Sequence, residues 1–413
     1  MLSRREVLKA AVRWVPCLGG AAIATRLPID PLLWEENSLF TFALDKTSDL
    51  VLNAPEARYW ISAGKAAGDC LRCHGAKDDL RRTPRGDHLN NVKCLLCAQG
   101  CLLRPGERGK CRARLNVNGS LRSLVYGHPV TIHVDPIEKK PFYHFLPGSA
   151  AFSLATAGCP LRCRFCQNWE ISQARPEQLR GLYLPPDDLA DNARRSQCGV
   201  LAYTYSEPVV FSEYVIDAAK TGRRAGLKSV VVSNGFIQRE PLHAMCDAVD
   251  AIKIDLKSYS EKYYHEVVRG ELRPVLDSIV NVRKSGRWLE IVYLVVPTLN
   301  DSDAEFRGVS QWIKKEVGAD VPIHFTRFRP LYLLTNLPPT PLATLERAKS
   351  IADAEGLQYA YVGNVPGHPG ENTYCPGCRK LLIERMGFTA TQVNLDKGKC
   401  RYCKRAIPGV WST

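Results

Sequence analysis

The sequence predicts an α/β protein built around a parallel sheet. Seven apolar, β-rich runs recur from about residue 151 onwards, and amphipathic helical stretches separate them. Alternation of strands and helices is typical of a parallel sheet, either open or rolled into a partial barrel. Ligand-binding side chains are then expected at the carboxyl ends of the strands. The seven runs are FSLATA, VLAYTY, SVVVSNG, AIKIDLK, EIVYLVVPT, IHFTRF and YAYVGN.

Composition indicates a folded globular protein of several segments. The chain has 413 residues, 45% of them hydrophobic and 24% charged, which is too long for one small core and too apolar for disorder. The net charge of +14 allows a zinc-ribbon nucleic-acid binder. We expect no nucleic-acid partner, however, because the basic residues are scattered and metal-bound cysteines would be thiolates. We predict a signal at 1–34, a cysteine-rich lead-in at 35–150, the strand–helix segment at 151–365 and a zinc-ribbon-like segment at 366–413.

The N-terminus carries Arg4 and Arg5 before a weakly apolar run. This pattern resembles a twin-arginine export signal, which serves proteins that fold around cofactors before they leave the cytoplasm. The alternative is an amphipathic first helix, because Arg13 interrupts the apolar run. The run is too short and too polar to predict a stable transmembrane helix. The expected location is the periplasm if the signal is used and the cytoplasm otherwise.

Three cysteines, Cys159, Cys163 and Cys166, follow directly on the first strand run in the pattern C-x3-C-x2-C. A structural zinc ion needs four protein ligands, and disulfides need an even number of cysteines. A [4Fe–4S] cluster has four irons, so three thiolates leave one iron without a protein ligand. The spacing therefore favours an open cluster over a zinc knuckle with a fourth ligand elsewhere.

This pattern at the end of a first strand resembles the radical S-adenosylmethionine (radical SAM) superfamily. The resemblance implies a (β/α)6 partial TIM barrel, a [4Fe–4S] cluster and S-adenosylmethionine bound to its open iron. It also implies reductive cleavage of S-adenosylmethionine to a 5′-deoxyadenosyl radical that abstracts hydrogen from a substrate, with an electron donor as partner. The chief alternative is a multi-centre electron-transfer module, which would not need carboxylates facing an open iron.

Polar residues at later strand ends extend the resemblance. Glu207 stands where the family has a Gly-Gly-Glu motif that contacts the methionyl amino group, and Tyr205 and Ser206 replace the two glycines. No catalytic residue is assigned. The other implied cofactor contacts are Ser233 and Asn234 of VVSNGF, Asp255 and Lys257 of IKIDLK, and His324 of HFTRFRP.

Longer stretches over residues 91–411 narrow the resemblance. The segments DPIEKKPFYHFLPGS, CRFCQNWEISQ and GHPGENTYCPGC resemble the radical SAM enzyme of the AmmeMemoRadiSam system, a relative of the pyruvate formate-lyase activating enzymes. The resemblance implies a substrate that is a protein or a small molecule, the activation of a partner protein, and partners from that system.

A four-cysteine group in the lead-in has the pattern C-x2-C-x3-C-x9-C. Four thiolates close a coordination sphere, so the group predicts either a structural zinc ion or an electron-relay cluster. The turn GERGKCRAR resembles a zinc knuckle, which favours zinc, although the spacing fits both. The ligands would be Cys94, Cys97, Cys101 and Cys111.

A second four-cysteine group lies near the C-terminus. Two C-x2-C pairs are separated by 21 residues, which is close to the spacing of a zinc ribbon, with rubredoxin-type iron as the alternative. The surrounding sequence has little apolar content, so this segment is expected to need its metal to fold. The ligands would be Cys375, Cys378, Cys400 and Cys403.

The stretch CLRCH matches the attachment motif of haem c, with Cys70 and Cys73 as attachment points and His74 as proximal ligand. His88 is the candidate second axial ligand. Another metal knuckle or a redox pair is the alternative. Haem is attached to unfolded chains in the periplasm, whereas twin-arginine export delivers folded protein, so the two predictions conflict.

Overall fold

The computed structural model of the protein describes residues 47–62 and 90–412. The predicted signal at 1–34 and the predicted haem motif, Cys70, Cys73 and His74, lie outside the described residues, as does His88. Within the described ranges, no helix has the length and apolar content that a membrane span requires.

The described residues form eighteen short strands and nine α-helical segments. The strands are β1 Trp60–Ser62, β2 Val92–Cys94, β3 Leu102–Leu103, β4 Arg114–Val117, β5 Ser120–Ser123, β6 Thr131–Pro136, β7 Ala150–Ala155, β8 Val200–Tyr203, β9 Lys228–Ser233, β10 Ala251–Asp255, β11 Trp288–Val295, β12 Ile323–Arg327, β13 Ala360–Gly363, β14 Thr373–Tyr374, β15 Leu381–Met386, β16 Thr389–Val393, β17 Leu395–Asp396 and β18 Lys399–Cys400. The helices are α1 Thr47–Leu52, α2 Trp169–Ser172, α3 Pro186–Arg195, α4 Ser212–Arg224, α5 Arg239–Ala248, α6 Glu261–Tyr263, α7 Leu272–Lys284, α8 Asp303–Glu316 and α9 Leu342–Ala354.

The central sheet has eight strands in the order β13-β12-β11-β10-β9-β8-β7-β6. Strands β7 to β13 are all parallel, and β6 is antiparallel to β7 at one end of the row. Each of the seven apolar runs singled out in the sequence forms one of the parallel strands. The predicted α/β class with a parallel sheet is confirmed, and its rolling into a (β/α)6 partial barrel stays a prediction.

The strands of this sheet lie in the core because both of their faces are covered. All four residues of β8 are buried, as expected for a central parallel strand. The connecting helices bury one face each: in α4 the residues Tyr214, Val215 and Ala218 are buried, while Arg223 and Arg224 of the last turn are exposed. Helix–strand crossovers therefore bring the carboxyl ends of the seven parallel strands, β7 to β13, to the same edge of the sheet.

The lead-in contacts α4 and the loops that follow β7 and β9. Strands β1, β2 and β3 form an antiparallel sheet, and β4 and β5 form a hairpin. Arg114 of β4 makes a buried ion pair with Glu213 of α4, and Glu213 also accepts a hydrogen bond from the backbone N–H of Arg58 at 3.1 Å. Because a buried charge is costly without its partner, this pair fixes the lead-in against α4.

The C-terminal segment forms a small antiparallel sheet, β14-β15-β16, and the two-stranded pair β17-β18. The buried guanidinium of Arg385 in β15 donates hydrogen bonds to the carbonyl oxygen of Tyr143 at 2.7 Å and to Thr373 Oγ1 at 2.9 Å. The backbone N–H of Val410 donates to the carbonyl oxygen of His144 at 2.8 Å. These bonds hold the segment against the chain that leads into the central sheet.

Candidate functional site

A cavity of about 520 Å³ opens at the carboxyl-terminal edge of the central sheet. Its walls come from the ends of β7, β8, β9, β10, β11, β12 and β13, which is where parallel α/β sheets place their ligands. The structure brings together here eight of the residues predicted from the sequence: Cys159, Cys163, Cys166, Glu207, Ser233, Asn234, Asp255 and Lys257.

The loop after β7 carries the three cysteines into this cavity. It is held by backbone hydrogen bonds from Arg162 N to the carbonyl oxygen of Val268, at 3.1 Å, and from Arg164 N to that of Val267, at 3.0 Å. Burial raises the pKa of the Cys163 thiol to about 12. A buried thiol of this kind ionises only when a cation takes the place of its proton. Three thiols on a fixed loop therefore form a donor set that suits iron.

Glu207 follows β8 and is buried at the edge of the cavity. Its carboxylate accepts hydrogen bonds from Ser233 Oγ at 2.6 Å, from Asn234 N at 2.9 Å and from Val209 N at 3.1 Å. Burial raises the pKa of Glu207 to about 7, and the hydrogen bonds oppose that rise. Among the described residues, no lysine, arginine or histidine nitrogen lies within 4 Å of this carboxylate. The site thus presents a buried acceptor suited to a cationic ligand.

Tyr205 lies two residues before Glu207, where the resemblance implies a glycine. Its φ is 63°, in the left-handed region that favours glycine. Its hydroxyl bonds to Asp135, and its ring lies under the ammonium of Lys140 with 4.4 Å between Nζ and the ring centroid. The tyrosine therefore keeps a glycine-like backbone turn, and its side chain contacts the lead-in.

Asp255 and Lys257 lie at the end of β10 together with Lys253, which the sequence analysis missed. Lys257 Nζ lies 2.8 Å from the Asp255 carboxylate, and Lys253 Nζ pairs with its other oxygen. Burial alone would raise the pKa of Asp255, but the two ammonium groups hold it at about 2. Alternate residues of a strand share a face, so positions 253, 255 and 257 of IKIDLK could have been assigned together.

Lys140 is a second cavity residue that the sequence analysis missed. It lies in the stretch DPIEKKPFYHF. Its side chain is buried against Asp135, and its Nζ lies 3.2 Å from the hydroxyl of Tyr205. Burial lowers the pKa of Lys140 to about 8, while Asp135 opposes that shift. No strand pattern marks this lysine, because it reaches the cavity from the loop after β6.

His324 is not among the residues that line the cavity. It is fully buried in β12, two residues before Thr326, which does line the cavity. Its Nε2 lies 2.7 Å from Glu290, and its ring stacks on Tyr361 with 5.0 Å between centroids. The predicted contact between His324 and the cofactor is therefore corrected. His324 lies two residues deeper in the strand than Thr326, which reaches the cavity, so its side chain packs in the core.

The four lead-in cysteines surround the turn that follows β2 and the loop that ends at β4. Cys94, Cys97 and Cys111 are buried, and Cys101 is half-buried. Among the described residues, no three of these four sulfurs lie mutually within 4.8 Å. The sulfurs of Cys159, Cys163 and Cys166 in the cavity likewise do not all lie within 4.8 Å of one another.

The four C-terminal cysteines converge much more closely. All four sulfurs lie within 4.8 Å of one another, with 3.5 Å between those of Cys375 and Cys403 and 3.7 Å between those of Cys378 and Cys400. A tetrahedral zinc ion with Zn–S bonds of about 2.3 Å separates its sulfurs by about 3.8 Å. This group therefore has the dimensions of a site for one metal ion.

Comparisons with known proteins agree with this geometry. The profile of the Radical SAM superfamily matches residues 153–307. The chain is 43% identical over 320 residues to the uncharacterized protein MJ0808 of Methanocaldococcus jannaschii, covering 77% of this chain and 95% of that protein. It is 22% identical over 215 residues to pyruvate formate-lyase 1-activating enzyme of Escherichia coli, covering 48% and 87% of the two chains.

Among solved structures, a radical SAM methyltransferase from Sphaerobacter thermophilus matches with a TM-score of 0.42 and 15% identity, covering 55% of this chain and 71% of that chain. The superfamily profile spans β7 to α8, and so contains the cysteine loop and the ends of β8, β9 and β10. On the profile match and the homology to activating enzymes, the chain belongs to the radical SAM superfamily.

Proposed function

We propose that this protein holds a [4Fe–4S] cluster on Cys159, Cys163 and Cys166 and uses it to act on a protein substrate. The carrying observation is the convergence of three thiols with the unpaired, buried carboxylate of Glu207 in one cavity. Membership of the superfamily implies that the bound cluster and S-adenosylmethionine supply a radical that abstracts hydrogen from substrate. The donor set fits that cofactor pair: three sulfurs for iron and one carboxylate for an ammonium group.

Glu207 is the proposed acceptor for the methionyl ammonium of S-adenosylmethionine. A cationic ligand would provide the opposite charge that no described residue supplies within ion-pair distance. Ser233 and the backbone of Asn234 hold the carboxylate in place, and Asn234 Nδ2 lies 3.6 Å from the sulfur of Cys159. Asn234 therefore connects the carboxylate with the cysteine loop, so that cofactor and cluster would be bound in a fixed relation.

Lys253 and Lys257 are the proposed partners for negative charge in the cavity. They share the carboxylate of Asp255, so the three side chains together carry one positive charge. Burial lowers the pKa of Lys257, but Asp255 and Cys163 more than compensate and keep its ammonium protonated. This local positive charge favours cysteine thiolates and the methionyl carboxylate over their protonated forms.

A protein substrate is supported by the rim of the cavity. Phe388, at the turn between β15 and β16, is exposed and lines the cavity, and its neighbour Met386 is also exposed. Trp169, next to the cavity residue Asn168, is exposed and stacks on Tyr332 with 5.2 Å between ring centroids. Exposed aromatic and apolar side chains beside a polar cavity suit a polypeptide better than a small charged metabolite.

The Escherichia coli relative, pyruvate formate-lyase 1-activating enzyme, is named for the activation of another enzyme, which is itself a protein. We extend this to the present chain as activation of a partner protein, with the proteins of the AmmeMemoRadiSam system as the first candidates. A structural zinc ion on Cys375, Cys378, Cys400 and Cys403 completes the proposal.

Anaerobic turnover tests the cavity assignment. Reconstituted protein reduced with dithionite is expected to form 5′-deoxyadenosine slowly without substrate, as measured by mass spectrometry. Changing Cys159, Cys163 or Cys166 to alanine should abolish product, because two thiolates hold a cubane poorly. The control is C246A, since Cys246 is a buried cysteine outside every proposed metal group. The assignment would be refuted if protein with a fully loaded cluster formed no 5′-deoxyadenosine and if adding S-adenosylmethionine left its electron paramagnetic resonance signal unchanged.

The variant E207Q tests the ammonium contact separately. It removes one charge-assisted hydrogen bond worth roughly 1.5–3 kcal/mol, so the affinity for S-adenosylmethionine should fall about ten- to a hundredfold while the iron content is unchanged. Unaltered affinity would contradict the proposed role.

The protein substrate needs its own test. Purified partner proteins of the AmmeMemoRadiSam system should raise the rate of 5′-deoxyadenosine formation above the uncoupled rate and carry the modification afterwards. Stimulation by a protein-free metabolite extract alone would contradict a protein substrate.

A further inference from the structure

We infer that Cys94, Cys97, Cys101 and Cys111, here called the lead-in quartet, hold a second [4Fe–4S] cluster that passes electrons to the cluster of the cavity. The identity of this second cluster rests on the geometry of the quartet alone. Its role as an electron relay rests in addition on the function proposed above.

The spacing of the sulfurs distinguishes a cluster from a zinc ion. In a zinc site all four sulfurs bind one atom, which forces them to about 3.8 Å from one another. In a cubane each thiolate binds a different iron, so the sulfurs stay farther apart. Among the described residues, the C-terminal group meets the first condition and the lead-in quartet does not, since no three of its sulfurs lie mutually within 4.8 Å.

The quartet can be compared with two other cysteine groups of the same protein. The C-terminal group shows how this chain arranges four cysteines around a single ion. The cavity cysteines, on which we propose the first [4Fe–4S] cluster, do not all lie within 4.8 Å of one another. The lead-in quartet resembles the second arrangement, with the difference that it supplies a fourth thiolate and so leaves no iron open to a ligand.

Backbone groups of the lead-in enclose the quartet as they would a metal site. The backbone N–H of Cys94 donates to the carbonyl oxygen of Cys101 at 2.9 Å, which closes the loop that carries Cys97. The N–H of Lys110 points at the sulfur of Cys101 at 3.5 Å. A Cβ on Gly109 would lie 3.6 Å from the sulfur of Cys111 and 3.9 Å from that of Cys101. The C-terminal group has the same kind of contacts, with Cys403 N 3.5 Å from the sulfur of Cys400 and a Cβ on Gly377 3.8 Å from that of Cys375. These contacts indicate a metal site in the quartet, and the spacing of its sulfurs is what favours a cluster over zinc.

The quartet is also in direct contact with the cysteine loop of the cavity. A Cβ on Gly158, the residue before Cys159, would lie only 2.4 Å from the carbonyl oxygen of Cys111. Gln99 Nε2 donates to the carbonyl oxygen of Pro160 at 3.0 Å. Thus both ends of the quartet, the Cys97–Cys101 turn and Cys111, touch residues that flank Cys159.

A second route runs through the end of β9. Cys97 pairs with Ile237 in an isolated antiparallel bridge, and the N–H of Gln238 donates to the carbonyl oxygen of Leu96 at 3.0 Å. Asn234, which precedes this pairing on the same loop, contacts the sulfur of Cys159. The two metal groups are therefore joined by short packed and hydrogen-bonded connections, which a structural zinc ion would not require.

The electron transfer balances as a simple one-electron relay. A low-potential one-electron carrier, such as a ferredoxin- or flavodoxin-type protein, is oxidised by one electron, and the lead-in cluster is reduced. The lead-in cluster then returns to its oxidised state as it reduces the cavity cluster. Cys101 is the least buried member of the quartet and lies beside the exposed Lys110, so the carrier would approach on this side. Zinc has no redox chemistry and could not take this part.

Metal analysis tests the cluster. Anaerobically purified wild-type protein should contain about eight irons and about one zinc ion per chain, and the triple variant C159A/C163A/C166A about four irons. The control is C246A, which should match the wild type. An iron-free triple variant with about two zinc ions per chain would overturn the inference. If the triple variant does not fold, reduced wild-type protein should show two cluster signals, of which only one responds to S-adenosylmethionine, and a single signal would overturn it.

The relay is tested with C101S, whose cysteine is the least buried of the quartet. This variant should lose the resonance signal of the lead-in cluster, and the flavodoxin-type carrier should reduce its cavity cluster more slowly than that of the wild type. Reduction at the wild-type rate would overturn the relay. If the proposed radical chemistry in the cavity were wrong, the triple variant would still contain the iron of the lead-in cluster. Failure of the proposed function and failure of the second cluster are therefore distinguishable.

Discussion

The change G158A should break the contact between the lead-in quartet and the cysteine loop. Gly158 has a φ of 100°, which side chains other than glycine rarely adopt. A Cβ at this position would lie 2.4 Å from the carbonyl oxygen of Cys111 and 3.4 Å from Cβ of Ala113. Because the closer atom is backbone in a packed segment, no side-chain rotation can relieve the overlap.

The cost has two parts that a control can separate. The positive φ costs roughly 1–2 kcal/mol for alanine. The overlap should add roughly 1–3 kcal/mol, as for other substitutions that overfill a packed interior. Gly226 is the matched control: its φ is 81°, and no heavy atom lies within 4 Å of an added Cβ. G226A should therefore show the cost of φ alone, and G158A should exceed it.

The assay is anaerobic urea unfolding of the metal-loaded proteins, followed by tryptophan fluorescence, together with iron analysis of the folded fraction. We expect G158A to lower the free energy of unfolding by about 1–3 kcal/mol more than G226A does. We also expect G158A to lose iron, whereas G226A keeps the wild-type content. Equal destabilisation by the two changes, with iron unaltered in both, would refute the contact between Gly158 and Cys111.

Two further predictions concern the C-terminal segment. C375S should reduce folding and solubility, because it removes one of four metal ligands from a segment with a small apolar core. The soluble protein that survives should keep the iron of the cavity. Loss of that iron with unchanged stability would contradict the prediction. Burial lowers the pKa of His144 to about 4, against the attractions of Glu290 and of the Pro408 carbonyl. As the pH falls from 6.5 towards 4 the unfolded chain takes up the proton first, so stability present above pH 6.5 should fall by up to about 3 kcal/mol. Urea unfolding at pH 7 and 4.5 should show this loss, and H144Q should flatten it; an unchanged slope in H144Q would count against the argument.

The central sheet was predictable because its signals are local. Each parallel strand is covered on both faces, so its sequence reads as a continuous apolar run, as in VLAY of β8. Right-handed crossovers between parallel strands then place the carboxyl ends of β7 to β13 at one edge. For this reason the sequence predicts one site for Cys159 and Glu207, which follow β7 and β8, and Asp255, which ends β10.

The sequence mispredicted residues whose position depends on how deep they lie in the sheet or on a partner that is distant in the chain. His324 and Thr326 share a strand face, but only Thr326 reaches the cavity, while Glu290 from the neighbouring strand receives His324. Lys140 reaches the cavity from the loop after β6 through its pairing with Asp135 and Tyr205. A partner 65 residues away in the chain leaves no local pattern.

The sequence by itself determined the parallel sheet, the cysteine loop and the identity of the groups that could bind metal, because strand periodicity and cysteine spacing are local properties of the chain. Only the tertiary structure decided how far apart the sulfurs of each group lie and which groups touch. Sulfur spacing depends on how separate segments pack, as when Gly158 meets Cys111 across 47 residues of chain. Contacts of that kind place the lead-in quartet against the cavity, and no pattern within either segment records them.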